Sequence, residues 1–178
     1  MTAGPISTAA STTLIVMGVS GSGKTTVATQ AAERLGWKYS EGDDFHPAAN
    51  VEKMRSGHPL DDEDRWPWLR DIASWIGDRE KLSESVVITC SALKRVYRDL
   101  LADGHPSVVF CELVVPAEVL EERMAQRQGH YMPASLLRSQ LETLQDLQPG
   151  ERGFRVRVEG GEDRVLSEVL RELVPHLA

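Results

Sequence analysis

Along the chain, continuous apolar runs alternate with stretches in which apolar residues recur every three or four positions. The runs Leu14 to Met17, Val86 to Cys90 and Val108 to Val114 read as strands covered on both faces, and Trp37 to Ser40 and Phe154 to Val158 read as two more. Helical periodicity fills the intervals at about Lys24 to Leu35, Pro47 to Arg55, Trp66 to Arg79, Leu93 to Ala102, Pro116 to Arg127, Pro133 to Leu147 and Asp163 to Leu173. This alternation predicts an α/β fold with a mostly parallel, five-stranded sheet and helices on both faces. Gly36, Gly57 and Gly104 sit where helices stop, and Pro47, Pro67, Pro116 and Pro133 sit where first-turn prolines are tolerated. Residues 1–12 read as a loose tail and 13–178 as a single domain. The helical segment at about 44–80, between the second and third strands, has the place of a substrate-binding flap.

The first strand runs directly into Gly18-Val19-Ser20-Gly21-Ser22-Gly23-Lys24-Thr25-Thr26 and then a helix. Glycines at 18, 21 and 23 let successive backbone N–H groups turn inward on an anion, and the helix adds the positive end of its dipole. Lys24 supplies a mobile cation to the β- and γ-phosphates, and the Thr25 hydroxyl is placed for Mg²⁺. The bare pattern arises by chance in roughly one chain in two hundred of this length, and its strand-loop-helix setting lowers those odds. ATP is the ligand this predicts.

Other P-loop classes fit less well. No Asn-Lys-x-Asp follows, since the one asparagine, Asn50, precedes Val51, and there is no Asp-x-x-Gly switch. The third strand ends in Cys90 and Ser91 rather than the acid usual in motor and transporter ATPases. An acid must come from elsewhere, and Asp43 in EGDDFHP falls at the carboxyl edge of the sheet, where open α/β folds bind ligands. There it can both face Mg²⁺ and take the proton of an acceptor hydroxyl. Asp43 and Asp44 as plain turn residues are the alternative. Arg123 and Arg127 share a helix face with no acid three or four residues away, so a transferring phosphoryl group is their natural counter-ion, a tertiary ion pair being the alternative. The segment at about 123–135 then reads as a closing lid.

Composition changes this picture little. The 178 residues carry a net charge of −7, which argues against a nucleic-acid backbone as partner. No apolar run approaches the ~20 residues of a membrane span, and no signal peptide is apparent. Cys90 and Cys111 lie inside apolar strands, as small hydrophobes suited to a reducing cytoplasm.

The chain resembles the gluconokinases, small P-loop kinases that phosphorylate D-gluconate. The resemblance rests on GVSGSGKTT at 18–26, GDDFHPAANVEKMRSGHPLDDEDRWPWL at 42–69, CSALKRVYRDLL at 90–101, RQGHYMP at 127–133 and LLRSQLETL at 136–144. It implies an adenylate-kinase-like fold, a homodimer, Mg-ATP as donor and 6-phosphogluconate as product, feeding the pentose phosphate route. The chain departs from the family in carrying Tyr131 where Phe is usual, and in lacking an Asp-Glu pair in LQDLQPGERGF. For a linear sugar acid, Arg65 and Lys94 are the candidate carboxylate partners, and His46 and His130 the candidate hydroxyl partners, with Asp43 facing the reacting hydroxyl. The alternatives to these roles are that His46 leads into a helix, that Asp62 and Asp64 cap the helix beginning at Trp66, and that Lys94 with Arg98 forms a solvated face. Trp66 and Trp68 read as flap core. A kinase for shikimate or nucleosides, or a nucleotide-binding protein without catalysis, are the competing functions.

Overall fold

The computed structural model describes residues 10–126 and 134–177. Its sheet has the order β2-β3-β1-β4-β5, made of β1 (Thr13–Met17), β2 (Lys38–Glu41), β3 (Val86–Thr89), β4 (Val108–Val114) and β5 (Gly153–Arg157). Every pairing is parallel, with Thr13 opposite Val86 on one side of β1 and Val108 on the other. The strands alternate with α1 (Lys24–Leu35), α2 (Ala48–Arg55), α3 (Asp62–Lys81), α4 (Arg95–Ala102), α5 (Ala117–Gln126), α6 (Ala134–Thr143) and α7 (Glu162–Leu173). The five strands and their parallel pairing are those the apolar runs predict.

The pleat divides the core in two. Leu14 and Val16 of β1 join Val87, Val109, Cys111 and Val156 against Val27, Ala28 and Ala32 of α1 and Val165 and Val169 of α7. Ile15 and Met17 turn the other way, onto Trp68, Leu69, Ile72 and Ile76 of α3 and Tyr97 and Leu101 of α4. Each Val, Leu, Ile and Met among them contributes about 1.5–3 kcal/mol on burial. Burial raises the thiol pKa of Cys90 to about 12 and pushes that of Cys111 up as well, so both act as core hydrophobes.

One helical boundary and one alternative reading are corrected. The third helix begins at Asp62, not at Trp66, because Asp61 and Asp64 form a reciprocal cap. Asp61 Oδ1 accepts from the Asp64 amide at 2.8 Å, and Asp64 Oδ2 accepts from the Asp61 amide at 2.9 Å. Pro67 therefore lies a turn inside the helix, where its missing N–H cannot pair with the Glu63 carbonyl. Arg98 is not on a solvated face. It is fully buried, donating to both oxygens of Glu151 at 2.7 and 3.1 Å and to the Ala92 carbonyl, and so fastens α4 to the segment before β5.

Candidate active site

The carboxyl ends of β1, β2 and β3 converge where the chain order of the sheet reverses, and they carry the chemistry. Gly18, Gly21 and Gly23 have φ of +146°, +80° and +93°, angles that side-chain-bearing residues rarely adopt, and they shape the loop after β1. Gly23 caps α1 with no side chain, and no acid lies in the first turn, so the end of α1 is open to an anion. The Lys24 ammonium donates to the carbonyls of Gly18 at 3.0 Å and Val19 at 2.9 Å. Val19 itself is buried, so only its backbone faces the loop interior. From α5, Arg123 donates to the Gly21 carbonyl at 3.2 Å. From α6, Gln140 accepts from the Ser20 amide at 2.7 Å.

Clefts open on either side of this loop. One is flanked by Gly21, Ser22, Gly23, Thr26, Arg123 and the turn Val158 to Glu162. The other is lined by Ser20, Lys24, Asp43, His46, Arg65, Trp68 and Ser91, with Met54, Leu60 and Leu136 as an apolar wall between α2, α3 and α6.

At the end of β2, Tyr39 and Glu41 share one face of the strand. Glu41 accepts from the Thr25 hydroxyl at 2.9 Å, from the Thr89 hydroxyl at 2.7 Å and from the Tyr39 phenol. Burial, then Glu41, push the Tyr39 pKa well up, so the phenol keeps its proton as a donor. Hydroxyl and carboxylate oxygens next to a phosphate cradle suit a hard divalent cation. Among the described residues there is no cluster of three or more His, Cys, Asp or Glu able to enclose an ion. Such an open oxygen set fits Mg²⁺, which keeps waters and phosphate oxygens in its shell.

Asp43 stands two residues beyond, in the 3₁₀ turn Gly42–Phe45. Desolvation by the cleft raises its carboxyl pKa, Lys24 pulls it down, and the charges of Glu41 and Asp44 raise it again. Gly42 makes this placement possible, because a Cβ there would lie 1.9 Å from the Thr89 carbonyl oxygen. His46 lies flat on Trp68, ring centroids 4.1 Å apart, and its Nε2 is 3.9 Å from Asp43 Oδ1. Burial, then the charge of Arg65, lower its pKa to about 4, so it is neutral at physiological pH. The Trp68 indole donates to the Gly42 carbonyl at 2.8 Å, fixing the platform under His46. Arg65, buried at 9% exposure, donates to the Tyr97 hydroxyl at 2.9 Å and faces the cleft.

Residues 14–148 match the family model of an AAA domain. A gluconokinase of Gluconobacter oxydans is 49% identical over 158 residues, covering 89% of each chain. This chain belongs to the gluconokinase family. The crystal structure of a gluconokinase from Sinorhizobium meliloti aligns with a TM-score of 0.83 at 44% identity, over 93% of each chain. An unliganded sugar kinase from a Janibacter species aligns with a TM-score of 0.88 at 49% identity, over 92% of this chain and 95% of its own.

Of the residues singled out in this gluconokinase-family sequence, Lys24, Asp43, His46 and Arg65 come together in one cleft, and Thr25 and Arg123 lie against the loop. Arg127 and His130 lie outside the described residues. Lys94 is not among the cleft residues. Its ammonium pairs with Asp62 Oδ1 at 2.9 Å, which raises the Lys94 pKa, while the Tyr97 hydroxyl and then Lys94 lower that of Asp62. Three contributors escaped the reading of the sequence. Glu41 could have been found from strand alternation with Tyr39, but Gln140 and Ser91 carry no local signal, since the fold alone brings them to the loop and the cleft.

Proposed function

We propose that this protein transfers the γ-phosphoryl group of ATP to D-gluconate, giving 6-phospho-D-gluconate and ADP. The observation that carries this reading is the union of a phosphate cradle, a carboxylate and a buried guanidinium in one cleft of a gluconokinase-family chain. The linear sugar acid would lie in the cleft lined by Asp43, His46 and Arg65, with the Arg65 fork on its carboxylate. The nucleoside would lie across the loop, in the cleft beside Arg123 and the turn Val158 to Glu162. A hydroxyl oxygen forms the new bond to the γ-phosphorus as the bond to the bridging oxygen of ADP breaks, and the hydroxyl proton passes to Asp43. Lys24 and Arg123, with Arg127, balance the charge on the phosphoryl oxygens.

Thr25, with Glu41 and Asp43 nearby, would hold Mg²⁺. The ion, when bound, neutralises phosphate charge. Segments 44–80 and 123–135 serve as flap and lid of a single domain. The free, buried cysteines support a reducing cytoplasm, and the family resemblance supports a homodimer. No helix among the described residues is long and apolar enough to cross a membrane.

The test is ADP release from Mg-ATP with gluconate, other sugar acids, glucose, shikimate and nucleosides. Turnover on gluconate above the rest is expected. Turnover confined to another acceptor would replace gluconate while leaving the phosphoryl-transfer reading in place, and silence on every acceptor would overturn both.

A further inference from the structure

Asn50, the only asparagine in the chain, is 5% exposed and lies behind His46 rather than in the cleft. Its amide nitrogen is 2.8 Å from the Asp64 carbonyl oxygen and 3.2 Å from His46 Nδ1. A carbonyl only accepts, so the group facing it must be the NH₂ end of the amide, and the second hydrogen of that NH₂ points at Nδ1. Nδ1 is thereby an acceptor, and in the neutral ring the proton must reside on Nε2. Trp68 stacks on the ring, so turning it over to exchange the two nitrogens would break that contact.

The Nε2 proton so placed faces Asp43 across 3.9 Å, too far for a direct hydrogen bond. One hydroxyl oxygen set to the side of the line joining them can lie about 2.8 Å from both atoms and bridge them. We propose that Asn50 is a positioning residue: by fixing His46 as a donor at Nε2, it makes His46 and Asp43 a directional clamp on the acceptor hydroxyl. The hydroxyl oxygen accepts from His46 and its own proton is left to point at Asp43. In the opposite tautomer, Nε2 would compete with Asp43 for that proton. The groups around the ring agree with a neutral donor, since Arg65 on one side opposes a positive imidazole and the Asn50 NH₂ cannot accept from it.

The inference rests on the assignment of Asp43 to the acceptor hydroxyl, yet its structural half is read without any acceptor. In protein labelled with ¹⁵N in its imidazoles, His46 is identified by the resonances lost in His46→Gln. The wild-type ring is expected to be protonated at Nε2 alone. Asn50→Asp, which offers Nδ1 an acceptor in place of a donor, is expected to move the proton to Nδ1. It should also lower kcat by about tenfold or more while leaving the KM for ATP within about twofold. A wild-type ring protonated at Nδ1 overturns the proposal, as does a flipped tautomer in Asn50→Asp with unchanged kcat. If Asn50→Asp does not fold, the wild-type spectrum decides. Loss of gluconate turnover in the wild type would instead count against the proposed function, which the tautomer does not touch.

Discussion

Burial of His46 should make this protein acid-sensitive in a way that one substitution removes. The ring is held neutral by burial and by Arg65, with its pKa lowered from 6.5 to about 4. In the unfolded chain it takes a proton near 6.5, so between these values the unfolded state binds more protons and stability falls as the pH falls. The stabilisation is complete above 6.5 and is lost progressively as the pH drops through about 4. For a depression of that size, about 2.5 kcal/mol is lost between pH 7.5 and 4.5 through this group alone. His46→Gln removes the titration, while Asp43 and the remaining histidines titrate in both proteins and largely cancel. Urea unfolding of both proteins at the two pH values isolates the contribution, the wild type being expected to lose about 2.5 kcal/mol more than the variant. A difference below about 0.5 kcal/mol would show that His46 is not held neutral, and the reasoning would fail.

Three further outcomes are expected. Asp43→Asn should lower kcat by about 10²-fold or more with nucleotide affinity retained by equilibrium titration, and the acid limb of the wild-type rate should be displaced upward from where an ordinary Asp would put it, because the Asp43 pKa is raised. Glu41→Gln removes a charge that Thr25, Thr89 and Tyr39 all hold in place, so the Mg²⁺ concentration for half-maximal rate should rise several-fold, as read by metal titration at fixed ATP. Gly42→Ala must push the turn off the Thr89 carbonyl, costing about 1–3 kcal/mol in urea unfolding and lowering kcat through the displaced Asp43; wild-type stability and rate would contradict the close approach.

What the sequence determined by itself is what depends on near neighbours in the chain. The apolar runs at 14–17, 86–90 and 108–114 specify strands buried on both faces, and the loop from Gly18 to Thr26 carries its anion chemistry in consecutive backbone groups. Asp43 was legible for the same reason, being a carboxylate just past a strand end. Tertiary structure decided the remainder. Lys94 and Arg65 look alike as cations in the sequence, but Asp62 claims the first and the second faces the cleft. Arg98 lies on a helix whose polar spacing suggests solvent, yet Glu151, fifty-three residues away, makes it a core residue. Gln140 reaches Ser20 across 120 residues, and Asn50 acts on His46 only because Asp64, arriving on another helix, fixes the direction of its amide. A polar side chain's role is set by the partner that completes its hydrogen bonds, and the fold chooses that partner from distant parts of the chain.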